Sequence, residues 1–575
     1  MFRRSARAIA VLACLSACAQ VQQAPAMPQA PLAAPQSSIA APQAAPAAPS
    51  RPVAATPPAA AVTALPAGNL PQPVLTLLAA NGIAPASLSA LVLRGDQVVL
   101  AHGADRPMQP ASTMKLVTTL VSLEQLGPVF RGRTELLGNG EVKNGVLQGD
   151  LVLRGGADAD LSEEVLDTML RALQLSGIKR IEGNLVLDRS LFNPARQDLN
   201  VPPFDESPEA YYNVIPDALL VNKNMLQIDM RSTGKSIALT MQPELEGVRV
   251  VSEMTLIDGN CARWEDGWKL PEAVKGADGR IKVVLRGTFP KNCVQTNSIN
   301  VLDRDDYLDG LFRMKWKQLG GKLDGKTLEG VAPLDARLLA LHTARALPEV
   351  VRDTNKPSDN ALARTLFLSL GALEADPVLG SRPLPLVPGQ STYTRADQVV
   401  RNWMRARGID DSGFVIENGS GLSRIERISP LQMGGLLKAG LRSNWAPEFQ
   451  ASMPIVAVDG TMRRRLHNSP AAGRARLKTG TLRNVVAVAG YVPDASGVQN
   501  VVVAMVNDER AGEGRGRAVV DALVDWVARS GTSAAAPGAM PAMVPATAPD
   551  AALGTASDTA PGTASGTAAG APVLH

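Results

Sequence analysis

The spacing of apolar side chains changes character several times along the chain, and each change marks an element. Met114, Val117, Leu120, Val121 and Leu123 recur at helical spacing and predict a helix that opens near Ser112 and stops at Gly127-Pro128. Upstream, a short helix is expected from Pro71 to Ala80. Leu91-Val92-Leu93 and Val98-Val99-Leu100 flank Arg94-Gly95-Asp96 and read as two strands about a tight turn. A similar unit closes the ordered part: strand Val485 to Val492, a Pro493-Asp494-Ala495-Ser496-Gly497 turn, strand Asn500 to Val506, then a helix from Arg517 to Arg529. A hairpin followed by a terminal helix suits an antiparallel sheet covered on one face by helices, and the first hairpin can join it.

Between these ends the pattern breaks into short alternating runs such as Gly145 to Leu153 and Gly183 to Leu187, with one helical stripe from Leu161 to Leu175. Helical spacing returns at Tyr307 to Leu319 and at Leu347 to Asp353. The expected organisation is an α+β, multidomain chain. A discontinuous body spans 69–135 and 301–530, and an inserted α+β, β-rich region spans 136–300. Residues 19–68 and 531–575 are dominated by Ala, Pro and other small residues; they read as a disordered linker and a disordered tail.

The first 18 residues pair a basic start, Arg3-Arg4, with a short apolar run, the pattern of an export signal. Leu15-Ser16-Ala17-Cys18 resembles the lipobox of bacterial lipoproteins, which makes Cys18 a candidate for lipidation; cleavage at the Ala17-Cys18-Ala19 site is the alternative. The expected location is therefore exported and periplasmic, with membrane association only through that anchor. Beyond the signal two cysteines remain, Cys261 and Cys293. In an exported chain such a pair predicts a disulfide, with two buried thiols as the alternative.

Charge narrows the partners. With 58 basic against 54 acidic residues in 575 and only 3% aromatics, neither a bulk field nor stacking surfaces favour nucleic acid. The four histidines, His102, His342, His467 and His575, have no metal-ligand spacing.

Candidate chemistry sits in three short motifs. Ser112-Thr113-Met114-Lys115 places a hydroxyl and an amine one turn apart on a helix, where the amine can take the proton of an attacking serine. Ser176-Gly177-Ile178-Lys179 and Ser232-Thr233-Gly234-Lys235 fit the same pattern, but only Ser112 stands just before a helix. Ser358-Asp359-Asn360 follows a predicted helix, and Lys478-Thr479-Gly480-Thr481 leads into the last hairpin. In this order the three form the set used for acyl transfer by penicillin-interacting serine enzymes.

On these motifs, with Gly419-Ser420-Gly421-Leu422-Ser423-Arg424 and Asp459-Gly460-Thr461-Met462, the chain resembles the class C low-molecular-mass penicillin-binding proteins over roughly residues 70 to 530. These are serine D-alanyl-D-alanine carboxypeptidases and endopeptidases. Asn418 departs from the Asp often found before Gly-Ser-Gly. The resemblance implies a β-lactamase-like (penicilloyl-serine transferase) domain interrupted by insertions, no metal and no cofactor. It also implies action on peptidoglycan stem peptides, with β-lactams as covalent inhibitors.

The expected roles are Ser112 as nucleophile and Lys115 as base, its ammonium disfavoured by a neighbouring cation. Ser358 relays a proton, Asn360 holds Lys115 or the substrate amide, and Asp359 is structural. Lys478 and Thr479 contact the substrate carboxylate, Gly480 permits close backbone approach, and the N–H groups of Ser112 and Thr481 form an oxyanion hole. Two rivals remain. A β-lactamase would need a further base, for which Glu417 is the nearest candidate, and a catalytically silent wall-binding lipoprotein would keep the fold alone.

Overall fold

A computed structural model describes residues 69–531. The export signal, Cys18, the linker and all of the tail but its first residue lie outside the described residues.

Five antiparallel strands form the central sheet of the body, in the order Arg476–Leu482, Val485–Pro493, Gln499–Asn507, Leu88–Arg94, Gln97–His102. The two predicted hairpins do share it, joined edge to edge from Leu88 opposite Val506 to Arg94 opposite Asn500. Helices cover both faces, not one. The strands explain why: Val485 to Val492 and Val501 to Val506 are buried without a break, the pattern of a strand enclosed on both sides. Successive residues point to opposite faces. Leu91, Ala487, Val503 and Met505 therefore enter one core, while Ala90, Val488, Val502 and Ala504 enter the other. The smaller core is closed by the helices Gln72–Ala80 and Arg515–Arg529, through Val74, Leu78, Val519, Leu523 and Val527.

The larger core holds the helix Lys115–Gln125, buried around its whole circumference from Lys115 to Leu123. That differs from the single apolar stripe its sequence predicts. Two polar positions on the other faces find acceptors, the Thr119 hydroxyl donating to Lys115 O at 2.7 Å and the Thr118 hydroxyl to Gly419 O at 2.6 Å, while Ser122 Oγ meets no partner among the described residues. Helices Leu347–Asn355, Asn360–Ala372, Thr392–Ala406 and Pro430–Arg442 pack around it.

A second body interrupts the first. Its core gathers Leu136, Leu153, Leu166, Leu170, Ile228 and Phe289. The largest of its sheets has seven strands, among them Arg133–Lys143, Val146–Gly156 and Arg337–Thr343. The insertion therefore ends near residue 344 and not at 300. The helix Arg304–Gln318 buries Tyr307, Leu311, Phe312 and Trp316 in the inserted core, and Arg337–Thr343 pairs antiparallel with Arg133–Lys143. An apolar helical stripe does not say which sheet it will cover. Exit and return lie side by side, with Ala344 N–H donating to Gly132 O at 2.9 Å and Leu347 N–H to Phe130 O at 3.1 Å. Cys261 and Cys293 form a disulfide within the insertion.

Candidate active site

Ser112, the candidate nucleophile, stands on a tight 3-10 turn, Ala111–Met114, at the start of the central helix. Ala111 before it holds a left-handed φ of 45°, and Ser358 of the second motif holds φ 68°. Non-glycine residues in that region are strained and cluster at functional sites. Two glycines let neighbouring loops close on the turn. A Cβ on Gly480 would lie 2.5 Å from Pro110 O and 3.1 Å from Ser112 N, and one on Gly421 would lie 2.0 Å from Ala111 O. The close approach expected of Gly480 is thus to the nucleophile's own turn.

Lys115 Nζ lies 3.0 Å from Ser112 Oγ, 2.6 Å from Asn360 Oδ1 and 2.5 Å from Ser420 O. The last two partners can only accept. When the amine is neutral its two hydrogens serve them, and its lone pair faces the serine, the arrangement a general base needs. Lys115 is fully buried, and burial is the main reason its pKa falls to about 7. This corrects the expectation that a neighbouring cation does it: Arg364 contributes in that direction, but as the smallest of the causes. Glu426 and Asp359 pull the other way.

Lys478 is also fully buried, and its Nζ donates to Ser358 Oγ and to Thr479 O, both at 2.8 Å. Burial first, then repulsion from Lys115, holds it well below the usual amine range. Its amine faces the serine of the second motif. Thr479 donates its hydroxyl to Thr461 at 2.8 Å, and Thr481 is exposed along the same strand, which is the free edge of the central sheet. Two serines, two lysines and the Asn360 carboxamide thus converge as the motifs imply.

Asp359, expected to be structural, caps the helix Asn360–Ala372 by accepting from Leu362 N–H at 2.9 Å. Lys356 Nζ reaches Asp459 at 2.5 Å, tying the loop that carries Thr461 to the second motif. Glu417 is exposed, and its backbone N–H donates to Glu426.

Sequence reasoning missed what the insertion brings. The Tyr211 hydroxyl donates to Asp359, Lys223 Nζ donates to the same carboxylate at 2.6 Å, and Asn360 Nδ2 donates to Tyr212 O at 2.8 Å. No local pattern marks these residues; the nearest signal is Tyr211-Tyr212 in a chain that is 3% aromatic. Glu426 and Arg364, both buried, were also missed.

A Ser-Lys pair on a helix against a five-stranded antiparallel sheet, with a second serine and lysine beside it, defines a serine acyl-transfer enzyme of the penicilloyl-serine transferase fold. Residues 84–530 match the D-Ala-D-Ala carboxypeptidase 3 (S13) family, and the chain belongs to that family. The D-alanyl-D-alanine carboxypeptidase DacB of Haemophilus influenzae is 27% identical over 428 residues, 73% of this chain and 84% of the relative. The D-alanyl-D-alanine carboxypeptidase of Actinomadura sp. strain R39 is 27% identical over 428 residues, 73% of this chain and 76% of the relative. The crystal structure of penicillin binding protein 4 from Haemophilus influenzae superposes with a TM-score of 0.64 at 23% identity, covering 80% of this chain and 99% of that one. The fold is therefore shared.

Proposed function

We propose that this chain is a serine D-alanyl-D-alanine carboxypeptidase and endopeptidase that works through an acyl-enzyme on Ser112. Its substrates are the terminal D-Ala-D-Ala bond of peptidoglycan stem peptides and D-Ala to diaminopimelate cross-links. The observation that carries the reading is the Lys115 amine, buried, 3.0 Å from Ser112 Oγ and otherwise bonded only to acceptors.

The neutral amine takes the Ser112 proton as Oγ attacks the carbonyl, and the N–H groups of Ser112 and Thr481 receive the oxyanion. Ser358, polarised by Lys478, relays to the departing amine the proton that Lys115 took, which returns Lys115 to its neutral form for the second half of the reaction. A terminal carboxylate laid along the free edge strand meets the Thr479 and Thr481 hydroxyls. Its charge favours the ammonium form of Lys478 beneath it. Water then attacks the acyl-enzyme, with Lys115 again as base. A β-lactam acylates Ser112 by the same first step.

Export to an oxidising compartment fits the disulfide, and Cys18 is the proposed site of lipid attachment; mass analysis of the mature N-terminus tests both. The function is tested by mass spectrometry of peptidoglycan fragments treated with wild type and Ser112→Ala. Wild type should remove terminal D-Ala and cleave cross-linked dimers, and the variant neither. Unchanged fragments with folded wild type would refute the reading.

A further inference from the structure

Two buried groups of opposite charge lie near the base and have no place in the reaction above. Glu426 is fully buried, and its Oε1 accepts three backbone N–H groups, from Glu417 and Asn418 at 3.1 Å and from Gly419 at 3.2 Å. Its Oε2 meets no partner among the described residues. Arg364 lies one turn beyond Asn360 on the same helix, hence on the same face, and is 7% exposed. Its Nη1 donates to Val214 O at 3.2 Å, while its Nε meets no acceptor among the described residues.

An incompletely satisfied charge in a protein interior costs several kcal/mol. Such groups persist where something other than stability selects them.

Both act on Lys115. Glu426 favours its ammonium and Arg364 its free amine. The other charged groups facing this lysine are Asp359, whose carboxylate Lys223 and Tyr211 already engage, and Lys478. Around Arg364 itself stand Tyr393, Glu417, Glu426 and Arg304. Glu426 also acts through geometry. Its carboxylate gathers the N–H groups of residues 417–419, and the next residue, Ser420, supplies the carbonyl that accepts from Lys115 Nζ at 2.5 Å.

We propose that Glu426 is a positioning residue for Lys115: its buried carboxylate fixes the loop whose Ser420 carbonyl accepts from the amine, and its charge, opposed by that of Arg364, favours the ammonium. The inference rests on Lys115 being the base. Burial pushes the Glu426 carboxyl up while its three backbone donors and Lys115 hold it down; losing its carboxylate removes a force that holds the proton on Lys115, so the free amine appears at lower pH. Loss of the Arg364 charge does the reverse. Glutamine at 426 keeps a carbonyl oxygen for the three N–H groups, and methionine at 364 keeps most of the buried volume.

The test is the pH dependence of the second-order rate of acylation by a fluorescent penicillin, measured on full-length wild type, Glu426→Gln and Arg364→Met, with thermal melting to confirm folding. Wild type should show an acidic limb near 7. The limb should move down by roughly one pH unit in Glu426→Gln and up by a similar amount in Arg364→Met. A merely structural role would lower amplitude and melting temperature without opposite displacements. If one variant does not fold, the direction of the other decides. A folded Glu426→Gln with the wild-type limb, or both limbs moving the same way, overturns the inference. A wild type without such a limb instead overturns the assignment of Lys115 as base, and this inference with it.

Discussion

The inserted body and the catalytic body both bury cations, but they treat them differently. In the insertion, Arg189 and Arg304 close on the fully buried Asp217 at 3.1 and 2.8 Å, and Arg196 pairs with Asp198 at 2.9 Å. In the catalytic body, Lys115, Lys478 and Arg364 are as deeply buried, yet the hydrogen bonds they make go to carbonyl, carboxamide and hydroxyl oxygens. A buried cation matched to a carboxylate keeps its charge and behaves as structure. A lysine matched only to neutral acceptors gives up its proton easily and becomes a reagent, whereas the guanidinium of Arg364 keeps its charge. A buried cation thus reads as scaffold or as chemistry according to its nearest acceptors and to whether, as lysine but not arginine, it can lose its proton.

The sharpest way to break this contrast is Lys115→Met, which should cut acylation of Ser112 by penicillin at least about a thousandfold while leaving a folded chain. Next, Asp217→Asn removes the fully buried carboxylate shared by Arg189 and Arg304, leaving them only the more exposed carboxylates of Asp305, Glu329 and Asp198. It should cost roughly 3 to 5 kcal/mol, read as a lower urea midpoint, with the acylation rate of the folded fraction unchanged. If that rate falls as well, the division between scaffold and reagent fails.

Replacing both Cys261 and Cys293 by Ser should cost about 3 kcal/mol in the same unfolding assay, again without touching acylation. The pH dependence sharpens the other side. Only the neutral amine accepts a proton, so the acylation rate of wild type should rise with pH through about 7 and fall about tenfold per unit below it. The smallest effect joins the two bodies. Lys223→Met removes a charged donor to Asp359 and should lower acylation about tenfold, with little change in melting temperature.

The chemistry was more legible in the sequence than the architecture. Ser112, Lys115, Ser358, Asn360 and Lys478 sit in short motifs because a reacting constellation demands fixed residue types, and both hairpins announce themselves by their turns. The assignment of Arg304–Gln318 was not legible, because its stripe of Tyr307, Leu311 and Trp316 fits any apolar sheet. The two-sided cover of the central sheet was present in the unbroken valine runs but was read as one-sided. The cause of the low proton affinity of Lys115 lay beyond reach, since burial of a lysine at the head of a helix depends on loops some 300 residues away. Arg364 left a trace, four positions after Asn360, where helical periodicity puts both on one face; Glu426 left none, since its partners are backbone N–H groups.

The adjacency of Gly132 and Ala344 has a topological consequence. The two ends of the excursion are one hydrogen bond apart, so a short turn of a few residues could splice the catalytic body into a continuous chain with its sheet order unaltered. Such a miniature would keep the Ser-Lys centre and lose Tyr211, Tyr212 and Lys223. What it still cleaves would separate bond-breaking power from the grip supplied by the excised part.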